Sequence, residues 1–455
     1  MECGVVRAGG SMDRHRMLAP TLLLCLALAG CGEVGSGTGP APSSVSASDR
    51  ASVSSASSGS LDPTFGAGGK VQTNVDPNQV ENLALQRDGK IVVVAALADF
   101  KIAPTVFGVL RYLPNGALDP GFGSGGVVRT AFTIGFHSPH SVAIQPDGKL
   151  VVAGSASIPS SSIDEIAVAR YNTNGSLDPT FGSGGKVTTV LLGFRDVANV
   201  VLLQPNGKIL IGGSALACFG RACGDNTALV RYNANGSLDG TFGSGGHVVA
   251  RSIGSVDALA LEQDGSILAL DRNGIGTNPV ARFSAQGAPM PVALVGKLAP
   301  IGNTGPATFQ SDGKIVLGGG AKGLCKTGLR VQVSRWTLND SPDPSFSSPA
   351  FFYANGACNA QDLVQGVTIA SNGQIVVGGI AALPNFLIAF GVARVNSGGS
   401  LDQSLGNGGR VTTMFNGRAD QVTAVAVQPD GKIVAVGLIA TNNSGNTAVA
   451  LTRYR

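Results

Sequence analysis

Ten residues before each of seven Asp-Gly or Asn-Gly dipeptides stand Asn78, His137, Asp196, Gly254, Gly302, Asp362 and Asp420. Five of these are polar, and a ring that gathered them would offer oxygen ligands for a hard cation such as calcium, or for a polar ligand. The competing reading is that each caps the start of its own strand through nearby backbone. His137 and His140, in "HSPH", could ligate a transition metal, but two imidazoles in one loop lack the further ligands such a site needs. Apart from the calcium option, no metal or cofactor is expected. Only four His occur in the chain, with no nucleophile elbow, no phosphate-cradling loop and no plausible Ser/His/Asp order, so no catalytic residue can be named.

Four cysteines remain once Cys3, Cys25 and Cys31 of the N-terminal segment are set aside. In an oxidising compartment Cys218, Cys223, Cys325 and Cys358 should form disulfides, with three connectivities possible. Cys218 with Cys223, and Cys325 with Cys358, is the favoured pairing.

The elements that must position these residues are hairpins. The dipeptides begin at Asp88, Asp147, Asn206, Asp264, Asp312, Asn372 and Asp430, each between alternating apolar runs such as "SVAIQPDGKLVVAG". Turns of the primed type are expected, with both central residues at positive φ. The intervals are 59, 59, 58, 48, 60 and 58 residues, so seven units are implied. Each unit holds a second hairpin: "IAVARY" reads as a strand, "NTNG" as its turn, and "LDPTF" as the strand that follows. Four antiparallel strands repeated seven times predict an all-β, seven-bladed β-propeller. The folded region opens with "GSLDPTFGAGGKV" and ends with "AVALTRYR", so the ring should close by the N-terminal strand joining the C-terminal blade, which leaves no open edge.

Residues that recur in every unit are architecture first. Arg111, Arg170, Arg231, Arg282, Arg335, Arg394 and Arg453 end third strands, and Asp62, Asp119, Asp178, Asp239, Asp343 and Asp402 stand nearly opposite, so one ion pair per blade is expected. Phe65, Phe122, Phe181, Phe242 and Phe346 should pack between blades. Asn174 and Asn235 sit in glycosylation sequons but read better as turn residues.

"VALQPDGKIVVAG" and "ARYNTNGSLDPTFGSGGKV", in their local variants from Gly59 to Arg455, resemble the delta-60 repeat family of propeller proteins and, more loosely, NHL-type propellers. The departure is "FSAQGAPMPVALVGK", Phe283 to Lys297, which lacks the Leu-Asp-Pro motif. The resemblance implies the fold and an envelope or extracellular setting, and no activity.

At the N-terminus, Arg14 and Arg16 precede the apolar run "MLAPTLLLCLALAG", too short for a permanent span but suited to a signal peptide. Its end, "LAGC", resembles the lipobox of bacterial lipoproteins, which implies lipidation at Cys31 and, with Gly32 following, an outer-membrane location. The expected organisation is a signal peptide and lipobox over 1–31, a Ser/Gly/Pro linker over 32–58 and the propeller over 59–455. The net charge of +4 is spread without Lys/Arg clusters or an aromatic ladder, which argues against nucleic acid. Membrane contact is expected through the lipid anchor alone, and a monomer is expected.

Function should lie where the copies differ. The links between second and third strands, and between blades, vary in length and share one face, which marks that face for binding. The expectation is a non-catalytic binding scaffold for a protein or glycan at the cell surface. The alternative is a hydrolase or lyase acting on polysaccharide at the channel mouth.

Overall fold

The computed structural model describes residues 61–455 apart from 100, 102, 159–162, 220–221, 272–278, 292–302, 323–328, 339–340, 355–361, 385–386, 416–419 and 442–445. Cys31, the linker, Gly302, Cys325 and Cys358 therefore lie outside the described residues. Among the described residues are seven four-stranded antiparallel sheets, and no helix is long and apolar enough to cross a membrane. The first blade runs Pro77–Leu85, Ile91–Asp99, Ala103–Tyr112, Val127–Thr130 from axis to rim. The seventh runs Gln421–Val427, Ile433–Ala440, Thr447–Tyr454 and takes Lys70–Thr73 as its outermost strand.

Alternation explains the packing. In Ile91–Asp99 both faces of the strand are buried, because each blade is sandwiched between two others. The apolar runs of the second and third strands thus form seven clusters between blades, such as Val92, Val94 and Phe107 of the first blade against Leu150, Val152 and Ala169 of the second. Ring closure uses the same chemistry: Val93 and Leu110 of the first blade pack on Val434, Val436 and Leu451 of the last.

Two local expectations are corrected. The outermost strand is not the Leu-Asp-Pro segment but the four residues after the glycines, Lys70–Thr73 and its equivalents. Leu61 makes only an isolated bridge to Tyr454, after which the chain turns. Asp62 enforces the turn: its carboxylate accepts from the Thr64 amide at 3.1 Å and hydroxyl at 2.7 Å, and its carbonyl from the Phe65 amide at 3.1 Å. The hairpin turns are not of the primed type either. Only the glycine has positive φ, as in Gly148 at 84°, and its amide bonds back to Gln145 at 2.9 Å. Asp147 stays right-handed because its carboxylate accepts from the Lys149 amide at 3.1 Å, which gives an ordinary turn followed by a left-handed glycine.

The six predicted Arg–Asp pairs form, five of them buried and Arg394–Asp402 half-buried. Arg170 Nε lies 2.8 Å from Asp178, with side chains 7% and 3% exposed, and its guanidinium stacks 4.6 Å from the Phe181 ring centroid. A second guanidinium nitrogen donates to Ala234 O in the next blade's turn, so this Arg also clips the neighbouring blade. Arg111, Arg231 and Arg335 repeat the arrangement through Thr173 O, Ala285 O and Ser397 O. Arg453 completes the circle: it pairs with Asp62 at 2.9 Å and donates to Pro114 O of the first blade at 2.5 Å. Arg394 pairs with Asp402, but Arg282 turns to Glu262 at 2.6 Å because its blade has no Leu-Asp-Pro motif. That blade's outermost strand is only Pro289–Met290.

Candidate functional site

The described residues ten before the turns all reach the face that carries the blade links, but they serve the links. His137 is buried, and its Nδ1 lies 2.7 Å from the Thr105 carbonyl, which can only accept. Nε2 is then the acceptor for the Phe132 and Thr133 amides at 3.2 and 3.0 Å. Burial leads in lowering this imidazole's pKa, so it stays neutral. Asp196 accepts from the Leu191 amide at 2.6 Å, Asp362 from Tyr353 at 2.6 Å and Ala382 at 2.8 Å, and Asp420 from Phe415 at 2.8 Å. Burial raises the carboxyls of Asp196 and Asp362, the latter to about 6. Asn78 is exposed. At the fourth blade, a side chain on Gly254 would meet the carboxylate of Asp271, which is itself buried. None of the five polar residues lines the axial cavity described next.

That cavity, about 350 Å³, runs between the innermost segments of all seven blades. Six of its lining residues share a position three residues further on, seven before each turn: Glu81, His140, Asn199, Asp257, Gln365 and Thr423, while Gly305 holds that position in the fifth blade and Gln79 and Asn82 line the cavity beside Glu81. The reason is a β-bulge. In the second blade Pro139 pairs with Gly154 and Ser141 with Ala153, so His140 is left over and its side chain is re-aimed. The same slip leaves over Glu81, Asn199, Gln365 and Thr423 in four other blades. In the fifth it leaves over both Gly305 and Pro306, and in the shortened fourth Asp257 directly precedes the innermost strand Ala258–Leu261.

Sequence reasoning missed this ring, although a signal existed. In several blades the bulge faces a glycine that a side chain could not replace: a Cβ at Gly213 would sit 1.8 Å from the Val197 carbonyl, and one at Gly379 would sit 1.8 Å from that of Leu363. The glycine seven residues after the turn, Gly154, Gly213, Gly379 or Gly437, therefore marks a strand distorted opposite it in four blades, while the first blade makes its bulge opposite Ala95.

The ring's donors are largely spent within the wall. Asn199 Nδ2 donates to Ser255 Oγ at 2.7 Å and Val256 O at 3.1 Å, and the Thr423 hydroxyl to Val436 O at 3.3 Å. His140 Nδ1 donates to Ala198 O at 2.9 Å, and Nε2 meets Ser138 Oγ at 3.1 Å. Among the described residues no three His, Cys, Asp or Glu side chains are grouped to hold a metal ion.

The link face has a different character. Ile134 and Phe136 are 75% and 50% exposed, and Leu192 and Phe194, in the corresponding link of the next blade but one residue further from its turn, 39% and 52%. On the same face Cys218 and Cys223 face each other across the second and third strands of the third blade and form a disulfide.

Comparison with known proteins supports the architecture. Residues 86–122, 145–181, 204–242, 310–346, 370–405 and 428–455 match the family model described as a domain of unknown function (DUF5122) beta-propeller. The fourth blade, with its two-residue outer strand, has no match. No curated protein matches the chain. Similar solved structures include virginiamycin B lyase from Staphylococcus aureus, 11% identical, covering 84% of this chain and 98% of that one with a TM-score of 0.42. An α-L-arabinanase from Penicillium chrysogenum, complexed with arabinobiose, is also 11% identical, over 84% of this chain and 97% of that one, TM-score 0.40. The β-propeller domain of the Trilobed protease from Pyrococcus furiosus is 11% identical over 82% of this chain and 94% of that one, TM-score 0.40. At such similarity nothing about their activities transfers. The six matched segments and the seven sheets support a β-propeller repeat architecture similar to that of this family.

Proposed function

We propose that the chain is a non-catalytic binding scaffold of the bacterial cell envelope, anchored by lipid on Cys31, that engages a protein partner at the cell surface through its link face. One observation carries this reading: two adjacent links each expose a bulky aliphatic and, two residues on, a Phe, Ile134 with Phe136 and Leu192 with Phe194. Exposed apolar groups repeated on a rigid rim are costly in water unless a partner covers them, and aromatic anchors of this kind dominate protein interfaces. A glycan would call for polar groups beside the rings, and these four positions supply none.

The test is binding of the purified protein to intact cells that lack it, compared with the variant carrying serine at all four positions. The expected result is saturable binding that the variant loses while keeping its melting temperature. Equal binding by both proteins would remove the link face from the reading. Protease-treated cells separate partner classes: binding that survives protease and reappears on a glycan array favours a polysaccharide. Turnover of such a polysaccharide would move the reading to the hydrolase or lyase alternative.

A further inference from the structure

We propose that His137 is an acid-sensitive latch on the link that carries Ile134 and Phe136, so that the link-face partner is held at neutral pH and released in acid. Release of a partner rests on the docking reading above; the latch itself does not.

The geometry admits one protonation state. His137 is 1% exposed and its Nδ1 proton goes to the Thr105 carbonyl, so Nε2 has a lone pair for the Phe132 and Thr133 amides. A proton on Nε2 turns this acceptor into a donor that faces two donors. Thr133 Oγ1, 3.2 Å from Nε2, already accepts from the Gly135 amide and donates to Ser157 O. Both link amides would lose their acceptor, and the residues that follow them are the exposed Ile134 and Phe136.

The surroundings oppose a charge on the ring. Burial lowers this imidazole below its ordinary 6.5 and the charge of Lys186 adds to it, against the Thr105 hydrogen bond. Lys186, on the outermost strand of the same blade, donates to Ala131 O at the start of the link at 3.0 Å. The carboxylates on neighbouring strands are engaged elsewhere. Glu165, in the same row of the sheet across Ala156, bonds to Thr188; Asp164 takes the Ser157 hydroxyl; and Asp99 of the first blade pairs with Arg129 at 3.9 Å.

Linkage fixes the sign. A detached link uncovers His137, which returns to the ordinary value, whereas the attached link holds it lower. Attachment is therefore at full strength above pH 6.5 and weakens by as much as about tenfold per unit below it. The next link supplies the contrast. There Asp196 accepts from the Leu191 amide at 2.6 Å from the same strand position, but burial raises its carboxyl, so the attached state takes up the proton and acid does not drive that link off. Among the described residues at this position, His137 alone gains a positive charge in acid.

The test is hydrogen exchange of the full chain in detergent between pH 7 and 5, corrected for the intrinsic rate, with binding to cells followed over the same range. Global unfolding would not isolate the effect, because Asp362, whose carboxyl burial raises to about 6, takes up a proton on folding and offsets it. Protection of the Phe132 and Thr133 amides should fall roughly tenfold while that of Leu191 and Leu192 holds. Cell binding should fall in parallel, and His137→Gln, which keeps an acceptor but no titrating group, should flatten both responses. If that variant fails to fold, imidazole nitrogen NMR of the four histidines decides, with His137 expected to titrate below 6.5. Protection unchanged at pH 5, an equal loss at both links, a pH response kept by His137→Gln, or an imidazole that titrates at or above its ordinary value would each overturn the latch. Binding undiminished at pH 5 after protection is lost would overturn the release. No binding at either pH, with the amides responding as expected, would instead overturn the docking reading and leave the latch standing.

Discussion

The rim and the axis of this ring are built from the same repeat and use it in opposite ways. At the rim, Arg111, Arg170, Arg231, Arg335 and Arg453 make one interaction set: a carboxylate in their own blade, a Phe ring beneath, a carbonyl in the next blade. At the axis Glu81, His140, Asn199, Asp257, Gly305, Gln365 and Thr423 share a backbone position and nothing else. Sameness at these five places follows from their task, since each ties one blade to the next. Difference at the axis means that no shared structural task constrains those side chains.

Rim and axis should differ most at the closure. Arg453→Ala strips the buried Asp62 of its closest cation and cuts the contact to Pro114, so stability in urea should fall by about 3–5 kcal/mol. Replacing both partners, Asp62→Leu with Arg453→Met, should cost less than the single change. A cost for Arg453→Ala no larger than for an axial variant would dissolve the distinction between rim and axis.

Acid should act at the rim as well. Burial works to raise the Asp62 carboxyl, but hydrogen bonds from Thr64 and the charges of Arg453 and Lys432 outweigh it and hold it at about 2 against an ordinary 3.8. A carboxyl depressed by folding stabilises the fold fully above its unfolded value and loses that contribution as pH falls through the folded one. Denaturant midpoints should therefore be level near pH 5 and drop between pH 4 and about 2, with a shallower drop for Asp62→Asn.

A smaller effect is expected at the link face. Changing Cys218 and Cys223 together to Ala opens a loop of six residues and should lower stability by about 2 kcal/mol, with no added effect of reductant on the variant. Smallest of all should be Gln365→Ser, within about 0.5 kcal/mol in equilibrium unfolding, because this side chain lines the cavity. A loss of several kcal/mol there would mean that the axial residues support the fold after all.

Several of these features could be read before any coordinates. The turn spacing marked seven blades because a hairpin is a local event: Asp147 and Gly148 make their turn with residues two and three positions away. The Arg–Asp pairs were legible for a similar reason, since a hairpin sets Arg170 opposite Asp178 across eight residues. Misplacing the outermost strand had a physical cause. "LDPTF" alternates like a strand, but Asp62 satisfies backbone amides with its own carboxylate, and local side-chain bonds of this kind compete with a ladder. Asn78, His137, Asp196, Asp362 and Asp420 stand at or next to strand starts, yet which way Asp196 or Asp362 would turn depended on link amides of no fixed spacing: five residues away in one case, nine in another.

By itself, then, the chain determined everything that depends on neighbours along it: the repeat, the hairpins, the opposed charges, and the leftover strand at each end that calls for closure. Tertiary structure alone decided what depends on blades meeting. Arg170 is buried only because Ala234 of another blade covers it, and Asn199 lines a cavity only because the innermost segments of seven blades converge on one axis. A bulge shifts the register by one residue, and in a strand one residue is the difference between facing the next blade and facing the channel.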